Sequence, residues 1–261
     1  MAIPAMLEQL LRAPGGIDLI KSLEFIACAG APLPPAIGDR VTHLVKLFHF
    51  IGSTETFPLP ELSKSPDDWL YHEFNPLLKH EMQLYDPSND TYELIIIADE
   101  ENKDMTPLYH NLGGASTYET KDLYTKHPEK ANLFKYYGRR DDIVVLANGL
   151  KINPVPLEEH VEGHSSVKGA QLIGKGRTEP ALLIEAREFP GDTSPADFLE
   201  TIWPRVEEAN VYVSEQARIT RDKIVCVFSD RPFARTGKGN IIRRMNEEAY
   251  KAEIESLYSN A

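Results

Sequence analysis

Apolar and polar residues alternate along this chain in short blocks whose period changes repeatedly. Pro4–Leu11 carries apolar positions at helical spacing and runs into Pro14-Gly15-Gly16, which predicts a short amphipathic helix and then a break. Leu23–Ala29 is a nearly continuous apolar run stopped by Gly30-Ala-Pro-Leu-Pro-Pro35, the pattern of a buried strand. Ile37, Val41 and Leu44 then share a helical face, and a second apolar run, Leu47–Ile51, ends in Gly52-Ser-Thr-Glu-Thr56. Twice, a predicted strand empties into a small polar loop, and in α/β proteins ligands gather at the carboxyl ends of strands. Pro58–Tyr92 holds no sustained period and reads as irregular. Glu93–Ala98 predicts a strong strand, and Tyr118-Glu-Thr-Lys-Asp-Leu123 follows a Gly113-Gly114 loop.

The stretch Tyr136-Tyr-Gly-Arg-Arg-Asp-Asp142 puts two basic residues and two carboxylates at a glycine turn, and Ile143–Ala147 reads as a strand entering a tight Asn148-Gly149 turn. Taken alone it is a charged turn backed by a buried strand. Beyond it the texture becomes alternating strand and helix. Val167–Gly174 and Ala181–Ala186 predict a strand pair. Ser194-Pro-Ala-Asp197 starts a helix in the manner of a capping box, with Phe198, Ile202 and Val206 on one face. Lys223–Phe228 predicts another strand, Arg231–Asn240 a loop, and Ile241–Tyr258 a closing helix carrying Glu247 and Lys251 at i,i+4 spacing. The change of texture places a domain boundary at Arg140–Asp142, and hence parts 1–140 and 141–261.

Composition narrows the function classes. A chain of 261 residues with 42% apolar content has room for two ordinary domains and a real core. Its net charge of −12, from 28 basic and 40 acidic residues, argues against a broad nucleic-acid or anionic-membrane surface but leaves room for a nucleotide in a local basic pocket. Cys28 and Cys226 both lie in apolar segments and read as buried, reduced thiols. The first residues lack the basic start and long apolar run of a signal peptide, and no segment approaches the roughly 20 apolar residues of a membrane helix. A cytoplasmic protein is the expectation.

Several small motifs invite chemistry. Gly237-Lys238-Gly239 suggests a phosphate loop, but Pro232 stands where that motif needs glycine and Gly239 where it needs Ser or Thr. What survives is a lysine between two glycines, able to approach a phosphate closely; a solvated turn lysine is the alternative. Gly52-Ser-Thr-Glu-Thr56 offers hydroxyls, backbone N–H groups and one carboxylate, suited to phosphate and magnesium, although Ser/Thr-rich turns are common. His160 and His164 are four residues apart, but Val161 replaces the glutamate of a zinc-protease helix and Gly163 weakens the helix, so they read as solvated histidines.

Taken in order, Gly30-Ala-Pro-Leu33, Gly52-Ser-Thr-Glu55, Tyr118-Glu-Thr-Lys-Asp-Leu123, Gly138-Arg-Arg-Asp-Asp142 and Pro232-Phe-Ala-Arg-Thr-Gly-Lys238 form a series that resembles the acyl-adenylate-forming superfamily. That superfamily includes acyl-CoA synthetases, luciferases and peptide-synthetase adenylation domains. Thr120–Leu123, Val145–Pro154, Ile202-Trp-Pro204 and Arg235–Gly239 look most like the fungal nonribosomal-peptide-synthetase-like branch, related to adenylate-forming carboxylic acid reductases. The resemblance runs from about Pro4 to Tyr258. It implies an α/β fold: the C-terminal part of a large adenylation subdomain in 1–140, followed by a small α+β domain in 141–261.

The resemblance implies ATP-dependent activation of a carboxylic acid to an acyl-AMP, followed by transfer to a thiol, either a carrier protein's phosphopantetheine or CoA. Gly30, Ala31 and Pro32 would line the adenine. Thr54 would contact the α-phosphate, and Glu55 would help hold Mg2+. Asp122 would accept hydrogen bonds from the ribose hydroxyls, with Arg139 beside ribose and phosphate. Asp141 matches the hinge of the small domain, Gly149 would face the pantetheine thiol, and Lys238 matches the lysine that bridges carboxylate and α-phosphate. Two departures stand out. Lys121 replaces the usual glycine before the ribose aspartate, and the Thr/Ser/Gly-rich loop that grips the β- and γ-phosphates is absent from this sequence. The expectation is therefore a C-terminal portion of an adenylation domain, with apolar surface around residues 1–100 that calls for a partner or self-association. A non-catalytic remnant or partner protein that binds AMP or a carrier protein is the competing reading. Neither nucleic acid nor membrane is expected as a partner.

Overall fold

The computed structural model describes residues 2–30, 32–104, 106–113, 116–187, 194–227, 230–237 and 239–259. It has a mixed α/β fold in two compact units, Met1–Arg140 and Asp141–Ala261.

The first unit opens with helices α1 (Pro4–Arg12) and α2 (Gly16–Lys21), separated where Gly15 takes a positive φ of 74°. Strand β1 (Phe25–Cys28) pairs in parallel with β2 (Lys46–His49), and α3 (Pro35–Thr42) crosses between them. Parallel strands need such a crossover. Leu7, Leu11, Ile20, Ile26, Val41 and Trp69 pack beneath this layer. Gly38 lets α3 lie on the indole: a Cβ there would come within 2.1 Å of the Trp69 ring. Trp69 Nε1 donates to Asp39 at 2.9 Å, which satisfies the one polar group of the indole.

Two short antiparallel strands, β3 (Gly52–Ser53) and β4 (Phe57–Pro58), bracket the Ser/Thr-rich loop. An antiparallel sheet follows in the order β5-β9-β8-β7-β6 among the described residues, formed by β5 (Tyr71–His72), β6 (His80–Asp86), β7 (Thr91–Ile97), β8 (Thr117–Lys126) and β9 (Phe134–Arg139). Helix α4 (Pro107–Asn111) lies between β7 and β8 in sequence. Leu94, Ile96, Leu108, Tyr124 and Phe134 form the core of this sheet.

The expectation of an irregular 58–92 segment is corrected here. β6 runs through it as an edge strand, and its sequence His-Glu-Met-Gln-Leu-Tyr-Asp is too polar to announce itself. Large apolar side chains are exposed on this unit, among them Phe25 (53%), Phe57 (59%) and Leu77 (64%).

In the second unit the predicted strand Ile143–Ala147 shortens to β10 (Val144–Val145), which forms a hairpin with β11 (Lys151–Ile152) across the Asn148-Gly149 turn. Gly149 takes φ 83° there, a value suited to glycine. Helix α5 (Val155–Glu162) leads to β12 (Val167–Ile173) and β13 (Ala181–Ala186), which pair antiparallel. β14 (Ile224–Val227) adds to β13 in parallel.

β13 is buried on both faces, which explains its unbroken apolar run. Leu182 and Ile184 face a core shared with Leu157, Val161, Phe198, Ile202 and Val206, whereas Leu183 meets Phe233, Tyr250 and Ile254 on the other side. Helix α6 (Pro195–Ala209) begins in a complete capping box: Asp197 N donates to Ser194 Oγ at 3.1 Å, and Ser194 N donates to the Asp197 carboxylate at 3.3 Å. The closing helix is two helices, α7 (Arg243–Ala249) and α8 (Lys251–Ser259). The break falls at Tyr250, whose side chain turns into the core. Glu247, predicted to pair with Lys251, accepts from Gln171 Nε2 at 3.5 Å.

Cys28 and Cys226 are free thiols, the first buried and the second half-buried. No described helix is long and apolar enough to cross a membrane.

Truncating Ile202 to Ala should destabilise the second unit by about 2–5 kcal/mol, and Ser194→Ala by about 1 kcal/mol. Urea unfolding followed by circular dichroism would measure both, and equal losses would contradict the packing described for α6.

Candidate active site

Each unit holds part of the predicted constellation. In the first, Gly30 follows β1 at φ 96° and Pro32 is exposed, whereas Ala31 lies outside the described residues. Thr54 is exposed at the tip of the β3–β4 loop. The loop is held by its own polar groups: Ser53 N donates to Thr56 Oγ1 at 3.0 Å, and Asn111 Nδ2 reaches the Glu55 carbonyl at 2.9 Å. Glu55 is held below the usual carboxylate range, chiefly by a hydrogen bond from Ser53 and also by the field of Arg139. That field links this loop to the next pair.

Asp122 and Arg139 are register partners on β8 and β9, with Arg139 Nε 3.8 Å from Asp122 Oδ1. The bulge before Asp122 is the decisive local feature. Lys121 takes φ 62°, Thr120 Oγ1 accepts the Asp122 amide at 3.1 Å, and the Lys121 amide donates to Glu93 Oε1 at 3.1 Å. The left-handed backbone explains why glycine would be at home at position 121. Burial pushes the Asp122 carboxyl up to about 6; Arg139 opposes that rise and Glu93 adds to it.

Glu93 is a site residue that the sequence reading missed. It is 4% exposed, and its second oxygen accepts from Arg140 Nη1 at 2.7 Å, while Arg140 Nη2 reaches Glu119 at 3.1 Å. The available signal was one carboxylate inside the apolar run Tyr92–Ile97.

In the second unit Lys238 lies outside the described residues, but its loop is defined on both flanks. Arg235 and Ile241 form an antiparallel bridge, Thr236 N donates to the Asn240 carbonyl at 2.8 Å, and Gly239 N donates to the Thr236 carbonyl at 2.9 Å. Below this loop Arg235 Nη2 meets Glu185 Oε2 at 2.7 Å. Glu185 is 1% exposed; its other oxygen accepts from Lys168 Nζ at 2.9 Å and from the Phe233 amide at 3.2 Å. Burial alone would raise the Glu185 carboxyl, but hydrogen bonds from Arg235 and Lys168 outweigh it and bring it below the usual range. The guanidinium passes over Gly169, where a Cβ would lie 2.4 Å from Arg235 Nη2. Asp142, just past Asp141, sits 3.4 Å from Arg243 Nε, and Arg243 forks onto Glu158 at 2.7 and 2.6 Å. Gly149 is exposed at its turn.

His160 faces Glu208 and Tyr212, and His164 Nδ1 accepts the Ser166 amide at 3.2 Å. The described residues hold no group of three or more His, Cys, Asp or Glu side chains arranged for a metal.

Residues 141–261 match the family model of the AMP-binding enzyme C-terminal domain. Over 262 residues, 99% of this chain, the sequence is 35% identical to a carboxylic acid reductase of Neurospora crassa, covering 25% of that protein. An adenylate-forming reductase of Serpula lacrymans is 33% identical over 268 residues, covering 99% of this chain and 24% of its own length. Residues 141–261 belong to the AMP-binding enzyme C-terminal domain family, and the whole chain is similar to adenylate-forming reductases. It spans about a quarter of the length of these curated relatives. Its fold matches that of the A domain of carboxylic acid reductase from Segniliparus rugosus, solved with AMP and a co-purified carboxylic acid, with a TM-score of 0.65 at 15% identity over 99% of this chain and 46% of that one. An o-succinylbenzoate CoA synthetase from Bacillus subtilis, solved with its acyl-adenylate, gives a TM-score of 0.64 at 16% identity, over 94% of this chain and 50% of that one. The α/β fold of an adenylate-forming enzyme's C-terminal part is therefore established.

The raised Asp122 carboxyl has a stability consequence. Between about pH 4 and pH 6 the folded chain holds a proton on Asp122 that the unfolded chain has released, so stability falls as pH rises through that window. Asp122→Asn removes that penalty and should stabilise the first unit at pH 7 by on the order of 1–3 kcal/mol, with no gain at pH 3.5. Thermal melts of both proteins across pH 3.5–7.5 test this; a constant difference would contradict it.

Proposed function

We propose that this chain is the adenine-, ribose- and lysine-bearing part of an adenylation domain that converts a carboxylic acid and ATP to an acyl-adenylate and pyrophosphate, then passes the acyl group to a thiol. The observation that carries the reading is the Asp122–Arg139 register pair, set by a bulge and coupled by charge to the Glu55 loop. A half-buried carboxylate opposite a guanidinium suits a ligand that presents hydroxyl donors beside a phosphate, as AMP does.

In the first step a substrate carboxylate oxygen attacks the α-phosphorus and pyrophosphate leaves. In the second, a thiol sulfur attacks the acyl carbonyl carbon and AMP leaves. Asp122 accepts from the ribose hydroxyls, Arg139 offsets phosphate charge, and Gly30, Ala31 and Pro32 provide backbone and apolar surface for the adenine. Thr54 Oγ1 donates to the α-phosphate.

The Glu55 carboxylate, kept ionised by Ser53, fits a hard cation. Glu55 would hold Mg2+, and the ion when bound supplies charge neutralisation for the phosphates. Lys238, on a two-glycine loop fastened by Arg235 and Glu185, supplies a cation where negative charge builds during attack on phosphorus. Asp141 lies at the junction of the two units and serves as the hinge by which the small domain changes position between steps. Gly149, bare at its turn, leaves room for the pantetheine arm of a carrier protein or for CoA. The acceptor thiol and the carboxylic acid are the substrates, and an intracellular, cytoplasmic setting supplies ATP.

Calorimetric titration with AMP and with Mg-ATP tests the reading without knowledge of the acid. Saturable AMP binding is expected, weakened about 10- to 100-fold by Asp122→Ala, the effect of losing hydrogen bonds to a charged acceptor. Lys238→Ala should retain AMP. AMP affinity should also fall as pH drops below about 6, where Asp122 gains its proton. A folded chain that binds neither nucleotide would favour the non-catalytic alternative.

A further inference from the structure

Asp141 lies in a single turn, Arg140–Asp142, and both its neighbours are tied into the unit to which they belong. On the first side, Arg140 donates to Glu93 at 2.7 Å and to Glu119 at 3.1 Å. Glu93 is fixed in turn, because its other oxygen accepts the Lys121 amide in the β7–β8 bulge. On the second side, Asp142 Oδ1 lies 3.4 Å from Arg243 Nε, and both terminal nitrogens of Arg243 fork onto Glu158. Glu158 is itself fixed, since its Oε1 accepts the Leu172 amide of β12 at 2.6 Å.

We propose that these two clusters are pins that clamp the backbone at residues 140 and 142, and so confine turning of one unit against the other to the φ and ψ of Asp141. The inference rests on the hinge reading above and adds positioning residues to it: Glu93 on one side, Arg243 and Glu158 on the other. A rotation spread over residues 139–143 would draw Arg140 away from the buried Glu93 on one side, leaving that charge uncompensated, or pull Asp142 off Arg243 on the other. A rotation about Asp141 leaves both pins closed. Glu93 then has two duties, since the same carboxylate fixes the Lys121 turn that aims Asp122. The pins also give the motion discrete end points, because a one-residue pivot has few allowed backbone wells.

The test uses the full chain with spin labels at Glu129→Cys and Glu207→Cys, exposed positions in separate units. Cys226→Ala removes the half-buried native thiol, and Cys28 has no exposed surface. Pulsed electron resonance then reads the distribution of distances between the labels, with and without AMP. The parent is expected to give one or two narrow peaks. Glu93→Gln and Arg243→Lys should each broaden them at least twofold, and the double variant most, while melting curves show both units folded. Arg140→Met opens the first pin from its more exposed partner and serves if Glu93→Gln does not fold. A parent distribution already as broad as the variants', or variants that lower the melting temperature without broadening it, would overturn the proposal. The distances without AMP read the pins whether or not nucleotide binds, so failure here is distinguishable from failure of the nucleotide reading.

Discussion

A carboxylate taken out of water must be matched, and the first unit is arranged around the matching of Glu93. One oxygen is occupied by the backbone amide of Lys121 and the other by the guanidinium of Arg140, whose residues lie 28 and 47 positions downstream. To present that amide, β8 must bulge and Lys121 must accept a positive φ. The bulge sets where Asp122 emerges, and Asp122 in turn faces Arg139. The geometry of the proposed ribose site is thus a by-product of satisfying one buried charge.

The same device recurs in the second unit. Glu158 accepts the Leu172 amide and the fork of Arg243; Glu185 accepts the Phe233 amide and the guanidinium of Arg235. Each buried glutamate takes one backbone N–H and one arginine from far along the chain. Such groups contribute less to net stability than an apolar core does, because desolvation offsets much of the attraction. What they define is position: an arginine held at a buried carboxylate fixes the backbone that carries it. Those backbones are Arg140, Arg235 and Arg243. The first adjoins the junction of the units, the second stands at the root of the Lys238 loop, and the third lies on the helix that follows that loop.

Much of this was legible in the sequence wherever one physical signal dominated. The helix from Pro195 was readable because capping residues and a 3.6-residue apolar period agree. β13 was readable because a strand covered on both faces is apolar throughout. The ordered series of short motifs identified the family. β6 escaped because an edge strand exposed on one side carries too little apolar pattern, and the Ile241–Tyr258 run concealed a break because Tyr250 is apolar enough to continue the period while its backbone leaves the helix. The roles of Glu93, Glu158 and Glu185 could not be read from spacing: a carboxylate's partner 50 or 85 residues away is a property of the fold. A lone charge in an apolar strand signals only that some partner exists.

Gly169 shows how such a clamp extends to residues that carry no charge. The guanidinium of Arg235 occupies the space that any side chain at 169 would need. A methyl group there would displace the guanidinium, leave Glu185 to Lys168 and the Phe233 amide, and loosen the root of the lysine loop from a strand on the sheet beneath. In a variant library, then, position 169 would sort with the charged residues 185 and 235 rather than with its apolar neighbours on β12. A glycine whose only contribution is empty space would carry the genetic signature of an ion pair.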